Sequence, residues 1–290
     1  MVPNFVLIIG AMKSGTTTLY HYLAQHPQIS TGPVKELDFF SNDEFWRRGI
    51  GWYESQFNFD PSQHRYALDA STNYTKHPYG PDLVPRIKST APRQYKLIYI
   101  MRHPLRRIES HALFAELTGA EFGRRPAQYK SYNFDAGISP AAIAFSLYAY
   151  QIDKFSEFYD EGALLLLTME QLKGDPIKAL TKVYDFLGID KRFPSELSLQ
   201  SNAASAHYLP PPLISALFKF TPVRAVARAV LPKAARQRIY DAATELGRPT
   251  GRFSLNADEE LALMATLSRD LARLRDRYNV DIEKEWGIVL

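Results

Sequence analysis

Short, continuous apolar runs alternate along the chain with longer stretches of helical periodicity. The continuous runs are rich in Leu and Ile and lie at residues 5–9, 97–101 and 164–167. Runs of this length are typical of parallel strands that are buried on both faces. Helices are predicted behind them at residues 16–26, from Pro104 onward and at residues 176–187, and Ser139-Pro140 opens a further helix. The pattern therefore predicts an α/β fold with a mainly parallel central sheet flanked by helices.

The C-terminal third is predicted to be helical. Asn256, followed by Glu259 three residues later, resembles a capping box at a helix start. Apolar residues then recur at spacings of three or four and predict one buried helix face: Leu261, Met264, Leu267, Leu271, Leu274 and Tyr278. Three consecutive prolines at 210–212 mark a loop. We expect a single domain at residues 1–290, with an α/β core in 1–210 and a helical C-terminal portion in 211–290.

Composition and charge exclude several classes of function. The chain has 290 residues and no cysteine, which excludes disulfides, a thiol nucleophile and thiolate-bound metals. Its net charge of +4 is too small to indicate a nucleic-acid partner. The apolar run at residues 5–12 is too short to span a membrane, and it lacks the basic leader of a signal peptide. The sequence therefore predicts a cytoplasmic protein.

A loop with glycines, clustered hydroxyls and one lysine joins the first predicted strand to the first predicted helix. We call residues 10–18 the phosphate loop; its candidate ligand-binding residues are Lys13, Ser14, Gly15, Thr16, Thr17 and Thr18. Glycines allow a tight turn, and a helix start presents free N–H groups and the positive end of its dipole. The pattern predicts a cradle for an anion, and the alternative is an ordinary strand–helix turn with an incidental lysine.

The phosphate loop departs from the Walker A motif in two ways. That motif requires lysine directly after its second glycine, whereas Thr16 follows Gly15 here and Lys13 lies inside the loop. A nucleotide hydrolase also needs an acidic residue at a strand end to help hold Mg²⁺, whereas Arg102 follows the strand at 97–101. A base at that position favours metal-free binding of a second anionic group. A P-loop kinase acting on a small molecule is the alternative enzyme.

Residues 5–18, together with the stretch from Arg102 to Ser110, resemble the PAPS-dependent sulfotransferases. These enzymes use 3′-phosphoadenosine 5′-phosphosulfate (PAPS) and release PAP. The resemblance implies that the phosphate loop holds the 5′-phosphosulfate and that Arg102 and Ser110 hold the 3′-phosphate. It also implies that PAPS is the cofactor, that no metal is required and that Lys13 helps to neutralise the leaving 5′-phosphate.

The match is closer to the glycosaminoglycan (heparan sulfate)-type sulfotransferases and their bacterial relatives. Residues 34–40, 51–53 and 68–74 resemble segments of those enzymes, and the resemblance implies that Glu36 is the catalytic base. One departure is Ala70, where those enzymes carry a lysine that assists the leaving group. Either Lys13 and Lys35 suffice here, or the acceptor is activated differently.

Three side chains are candidates for the base. Glu36 can remove an acceptor proton if a dry pocket makes its carboxylate more basic. Asp38 competes with it, because in an extended segment the two carboxylates would point to the same side. His207 is the other candidate, since the small-phenol sulfotransferases use a histidine. Aromatic residues that could line the pocket are Phe39, Phe40, Trp52 and Tyr53.

A basic, amphipathic stretch lies at residues 213–238. No acidic residue lies between Glu196 and Asp241, whereas six basic ones do: Lys219, Arg224, Arg228, Lys233, Arg236 and Arg238. Such a stretch suits an anionic membrane or an acidic acceptor, and the alternative is a solvated helix face over the core.

The residues and the resemblance together predict a sulfotransferase. It would transfer the sulfuryl group of PAPS to a hydroxyl or amine of a carbohydrate, lipid or natural-product acceptor, with Glu36 as the base. A non-catalytic PAP-binding module is the alternative from another class, because Ala70 departs from the catalytic pattern.

Overall fold

The computed structural model describes residues 1–118, 138–192 and 254–290. Its strands are β1 (Asn4–Gly10), β2 (Ile29–Thr31), β3 (Tyr66–Asp69), β4 (Gln94–Met101) and β5 (Leu164–Thr168). Every pairing between these strands is parallel, and the order across the sheet is β2-β3-β1-β4-β5. The predicted α/β fold with a mainly parallel sheet is confirmed, and all three apolar runs lie in its strands.

Helices precede and follow the strands throughout the described residues. They are α1 (Thr16–Leu23), α2 (Asp43–Arg47), α3 (Gly49–Glu54), α4 (Val84–Lys88), α5 (Pro104–Thr118), α6 (Pro140–Ala144), α7 (Tyr148–Asp153), α8 (Ser156–Asp160), α9 (Met169–Gly174), α10 (Pro176–Leu187), α11 (Ala257–Tyr278) and α12 (Ile282–Trp286). A short 3₁₀ helix lies at Thr72–Thr75. α1 ends at Leu23 rather than at residue 26, because the last turn before Pro27 tightens into i→i+3 hydrogen bonds.

The sheet is buried on both faces, which explains why its strands are apolar without interruption. Val6 and Ile8 of β1 belong to a core cluster with Leu19 of α1 and Leu180 of α10. On the opposite face, the ring of Phe5 stacks on Tyr53 and Tyr95, with centroids 5.1 and 5.4 Å apart. Full burial of each such side chain stabilises the fold by about 1.5–3 kcal/mol, so the central strands form a rigid base for the loops at their ends.

Helix α11 begins as predicted, and four of the six residues predicted for its apolar face are buried: Leu267, Leu271, Leu274 and Tyr278. Asn256 and Glu259 form the capping box, each side chain accepting from the other residue's backbone N–H. The expectation for Leu261 is wrong, because that side chain is 73% exposed. The buried residues are Leu263, Leu267, Asp270, Leu271, Leu274 and Tyr278. Leu261 lies two residues, or about 200° around the helix, from Leu263, so it cannot share that stripe.

The chain divides into two compact units. The first comprises Met1–Ile108, Pro140–Ser201 and Leu255–Leu290, and the second comprises Glu109–Ser139 and Asn202–Ser254. The sheet and the capped helix α11 belong to the first unit. Across the parts of the chain that the structure describes, no helix is both long and apolar enough to cross a membrane. His207, residues 213–238 and the predicted boundary near 210 lie outside the described residues, so the predictions made for them stay predictions.

Candidate active site

Beyond the carboxyl ends of β1 and β4, the chain turns to opposite sides of the sheet. β1 and β4 pair in parallel; the chain after β1 leads to β2 on one side of the sheet, and the chain after β4 leads to β5 on the other. In open parallel sheets, ligands bind in the crevice at such a point, beyond the carboxyl ends of the strands. The phosphate loop follows β1 and Arg102 follows β4, so both predicted anion-binding elements lie at this edge.

Close packing at the end of β1 turns the chain into the phosphate loop. A Cβ at Gly10 would lie 2.0 Å from Thr75 Oγ1, so the position requires glycine. Lys13 and Gly15 have positive φ angles of 68° and 92°. Gly15 is the N-cap of α1, and no side chain there accepts a hydrogen bond from the first N–H groups of the helix. These donors suit an anion at the helix start.

Hydroxyl groups lie beside those N–H donors. Thr16 is buried in the first turn of α1, and Thr17 and Thr18 are half-buried. Ser14 is fully buried, and its hydroxyl makes no well-formed hydrogen bond within the described residues, although the Tyr148 hydroxyl lies nearby. Leaving a buried hydroxyl unsatisfied is costly, so the oxygen of a ligand fits this position.

Three basic side chains converge on the phosphate loop. Burial lowers the pKa of Lys13, and the positive charges of Arg102 and Arg107 lower it further. The Tyr148 hydroxyl donates to the Arg102 carbonyl at 2.6 Å and so fixes its backbone. The Arg102 guanidinium has no hydrogen bond or ion pair with the residues that the structure describes. Positive charges this close together repel one another, and the binding of an anion would offset the repulsion.

Arg107 is a site residue that the sequence interpretation missed. It lies on α5, fully buried. Its Nη1 donates to the Met12 carbonyl of the phosphate loop at 3.2 Å, and its Nε donates to Ser146 Oγ at 2.6 Å. Its Nη2 donates to the Ala142 carbonyl. The guanidinium therefore ties the phosphate loop to α6 and the turn after it. The only signal in the sequence is a second basic residue beside Arg106 near the start of a helix.

Ser110 lies further along the same helix as Arg107. It is half-buried, and α5 carries it beyond the boundary of the first compact unit. The predicted pairing of Ser110 with Arg102 on one phosphate stays a prediction.

Glu36 lies in the irregular segment between β2 and α2. Its side chain is 42% exposed. One carboxylate oxygen, Oε1, accepts from Lys35 Nζ at 2.8 Å and from Thr72 Oγ1 at 3.5 Å. An exposed carboxylate can reach an acceptor, but the described residues do not form the dry pocket expected around it.

Asp38 is held more firmly than Glu36. Its carboxylate accepts from Asn73 Nδ2 at 2.7 Å and from Ser41 Oγ at 3.3 Å. Burial raises the pKa of Asp38, and the charge of Glu36 raises it further. The backbone of Asp38 has a φ of 53°, so the extended geometry considered for this segment is wrong. The two carboxylates are therefore not related by strand alternation.

The aromatic residues near Glu36 belong mostly to the core. Phe39, Phe40 and Tyr53 are fully buried, and the rings of Phe39 and Tyr53 stack with centroids 4.4 Å apart. Trp52 is half-buried beside them. The expectation that all four line an acceptor pocket is wrong for the three buried rings, which instead support the segment from beneath.

Asp69, at the end of β3, is a second residue that the sequence interpretation missed. It is fully buried. Tyr53 and Tyr74 donate to its Oδ2 at 3.0 and 2.7 Å, and Ser71 donates to its Oδ1 at 2.8 Å. Burial raises its pKa to about 6 despite these hydrogen bonds. Three side-chain donors of the protein thus occupy the Asp69 carboxylate, at the end of a strand that pairs with β1. Among the described residues there is no group of three or more side chains that could bind a metal ion.

Comparison with known protein families gives a match that includes the residues of this site. Residues 3–206 match the family model of the sulfotransferase domain. The chain belongs to the sulfotransferase family. The resemblance seen in the sequence is confirmed, and the matched range includes the phosphate loop, Glu36, Arg102 and Ser110.

Curated relatives of this sulfotransferase share its sequence over part of their length. A membrane-associated sulfotransferase of Dictyostelium discoideum is 36% identical over 116 residues, which cover 39% of this chain and 23% of that protein. Heparan sulfate glucosamine 3-O-sulfotransferase 5 of Mus musculus is 26% identical over 212 residues, covering 70% of this chain and 58% of that one. A bifunctional heparan sulfate N-deacetylase/N-sulfotransferase of Caenorhabditis briggsae is 25% identical over 214 residues, covering 67% and 24%. The chain spans less than two thirds of the length of each of these relatives.

Among solved structures, this sulfotransferase is similar to a sulfotransferase from Alicyclobacillus acidocaldarius. The TM-score is 0.61 at 19% identity, and the match covers 97% of this chain and 98% of the other. At this identity the similarity establishes the shared fold.

Proposed function

We propose that this sulfotransferase transfers the sulfuryl group of PAPS to a hydroxyl or amine of a carbohydrate, lipid or natural-product acceptor. The observation that carries the proposal is the donor set at the ends of β1 and β4. It combines Lys13, the buried Ser14 hydroxyl and the Arg102 guanidinium with the start of α1. This set fits a ligand with two separate anionic groups, such as the 5′- and 3′-phosphates of PAP.

The residues of the phosphate loop would act on the leaving side of the reaction. PAPS, when bound, supplies an activated sulfuryl group that leaves the 5′-phosphate behind. Lys13 and the N–H groups at the start of α1 would stabilise the negative charge that develops on that phosphate. Arg102, with Ser110, would hold the 3′-phosphate and so fix the position of the donor.

Glu36 is the base we favour on the acceptor side. Its carboxylate is the more exposed of the two candidate carboxylates, whereas the carboxylate of Asp38 is held by two side-chain donors. Lys35 Nζ donates to Glu36 and lies 3.4 Å from the carbonyl oxygen of Ala70. The Lys35 ammonium therefore stands next to the position that carries a lysine in the glycosaminoglycan-type enzymes. We infer that Lys35 takes over the role of that lysine.

Ligand-dependent thermal unfolding tests the proposal. We expect PAP without metal to stabilise the wild type by about 2.7 kcal/mol at 100 times its dissociation constant. Lys13→Ala should lose most of this effect, and Mg²⁺–ATP should stabilise neither protein. Lys96→Ala is the matched control, since its ammonium binds the Gly162 carbonyl near the amino end of β4, away from the phosphate loop. It removes the same charge and should respond to PAP like the wild type.

Other outcomes of this experiment would favour the alternatives. Stabilisation by Mg²⁺–ATP alone would overturn the proposal in favour of a P-loop kinase. Stabilisation by PAP, without sulfation of heparan sulfate oligosaccharides, glycolipids or small natural products, would favour a non-catalytic PAP-binding module. The cytoplasmic location, a role for His207 and contact of residues 213–238 with anionic lipid stay predictions.

A further inference from the structure

Residues 35–40, which we call the acceptor-side loop, carry both candidate carboxylates, Glu36 and Asp38, in irregular structure between β2 and α2. Two backbone N–H groups of this loop donate to hydroxyl side chains from another part of the chain. The N–H of Asp38 donates to Ser71 Oγ at 2.9 Å, and the N–H of Phe40 donates to the Tyr74 hydroxyl at 3.5 Å. Hydroxyl groups therefore hold the loop on both sides of Phe39.

Both hydroxyls are in turn oriented by one carboxylate. Ser71 Oγ donates to Asp69 Oδ1 at 2.8 Å, and the Tyr74 hydroxyl donates to Asp69 Oδ2 at 2.7 Å. A hydroxyl has one proton, so giving it to Asp69 leaves its lone pairs free to accept from the loop. Asp69 ends β3 and is paired in register with Leu7 of β1. The carboxylate thus connects the loop to the sheet.

We propose that Asp69 is a positioning residue, which fixes the acceptor-side loop, and with it Glu36 and Asp38, through the hydroxyls of Ser71 and Tyr74. The inference rests on the proposed function, because it makes the loop the catalytic one. Two further contacts follow the same path: the N–H of Ala70 donates to the Lys35 carbonyl at 3.3 Å, and Asn73 Nδ2 donates to Asp38 at 2.7 Å. A displacement of about 1 Å at such a base can cost roughly 100-fold in rate.

Tyr53 supplies a matched control for Tyr74. Both tyrosines are fully buried, and both donate to Asp69 Oδ2, at 3.0 and 2.7 Å. Within the described residues, Tyr74 accepts a hydrogen bond from the acceptor-side loop and Tyr53 does not. Tyr53→Phe keeps the ring that stacks on Phe39. It therefore removes a hydrogen bond to Asp69 without cutting the connection to the loop.

Amide hydrogen exchange of the full chain tests the connection directly. In Ser71→Ala we expect the Asp38 N–H to exchange about tenfold faster, and in Tyr74→Phe we expect the same of the Phe40 N–H. Tyr53→Phe should leave both rates within about twofold of the wild type. Asp69→Asn should raise both rates; the two single-hydroxyl variants carry the test if that protein fails to fold. PAP binding, measured by calorimetry, should change by less than about twofold in all of them.

Turnover separates a positioning role from a loss of stability. With PAPS and a heparan sulfate oligosaccharide as acceptor, kcat should fall about tenfold in Ser71→Ala, with KM for PAPS unchanged, and much less in Tyr53→Phe. Equal exchange rates in Ser71→Ala, Tyr74→Phe and Tyr53→Phe, or an equal fall in kcat in all three, would overturn the inference. If PAP does not bind the wild type but the exchange pattern appears, the proposed function fails while the hold of Asp69 on the loop stands.

Discussion

The phosphate loop follows β1 and the acceptor-side loop follows β2, on the other side of β3, and the two loops are held in different ways. The phosphate loop is short, leads from β1 directly into α1 and is held from behind by the buried guanidinium of Arg107. The acceptor-side loop has no regular structure and depends on side-chain hydroxyls that converge on Asp69. Backbone geometry thus defines the first loop, and a hydrogen-bond network defines the second.

The two loops also differ in charge. Three bases, Lys13, Arg102 and Arg107, surround the first. At the second, three carboxyl groups, those of Glu36, Asp38 and Asp69, stand beside one base, Lys35. Sulfuryl transfer needs positive charge where the phosphate leaves and a base where the acceptor loses its proton. This difference fits the proposed function. The donor PAPS would be bound by the phosphate loop, whose backbone geometry is fixed, and the acceptor would contact groups whose positions depend on side chains.

The largest expected effect separates the two candidate carboxylates, Glu36 and Asp38. Glu36→Gln should lower kcat by about 10²–10⁴, because a well-placed general base contributes that much. PAP affinity should stay the same, since Glu36 lies on the acceptor-side loop. Steady-state kinetics and calorimetry of the same variant check both statements.

Asp38→Asn is the matched comparison for Glu36→Gln. It removes a charge of the same sign two residues away, where Asn73 and Ser41 already occupy the carboxylate. We expect a smaller fall in kcat, of about tenfold or less, from disturbed positioning. A larger loss in Asp38→Asn than in Glu36→Gln would transfer the role of base to Asp38.

An intermediate effect is expected at Arg107. Arg107→Lys keeps the positive charge but loses the planar group that reaches the Met12 carbonyl, Ser146 and Ala142 together. PAP affinity should fall about tenfold, and stability should fall by about 2–4 kcal/mol, because buried acceptors lose their donor. Denaturation in urea and calorimetric titration with PAP measure the two changes.

Ser146→Ala provides the control for Arg107. It removes the partner of Nε and leaves the hydrogen bond from Nη1 to Met12. The protein should lose stability and keep its affinity for PAP. An equal loss of affinity in Ser146→Ala and Arg107→Lys would show that Arg107 acts through general stability rather than through the phosphate loop.

The same contrast explains what the sequence could predict. Strands β1, β4 and β5, the phosphate loop and the capping box of α11 depend on residues close together in the chain, and the structure has them where local pattern predicts. The short strands β2 and β3 carry no such apolar run and were not predicted. The Arg107–Met12 contact joins residues 95 apart, and the Asp38–Ser71 contact joins residues 33 apart. No local pattern encodes such pairs, so neither Arg107 nor Asp69 was predicted as a site residue.

The positive φ of Asp38 and the exposure of Leu261 have the same physical origin. The first accompanies side-chain contacts made by a distant segment, and the second depends on which face of α11 meets the rest of the first compact unit. Spacing alone places apolar residues on a helix, but tertiary packing decides where the buried stripe begins.

The smallest expected effect concerns two buried carboxyl groups: Asp69, which holds the acceptor-side loop, and Asp270, which lies away from that loop. Asp69 and Asp270 both have a pKa raised to about 6 by burial; Asp270 accepts from the N–H groups of Ala149 and Tyr150 at the start of α7. Since the folded pKa lies above the unfolded value of 3.8, the native state binds the proton more tightly, and this stability is present at low pH and lost as pH rises from about 4 to 6. Asp270→Asn should therefore flatten the fall in unfolding free energy between pH 4 and 7 by on the order of 2 kcal/mol, measured by urea denaturation across that range. The fall in unfolding free energy that remains in Asp270→Asn would include the contribution of Asp69. Adding Ser71→Ala to that variant should change the size of this remaining fall. Parallel curves for the wild type and Asp270→Asn would contradict the raised pKa of Asp270.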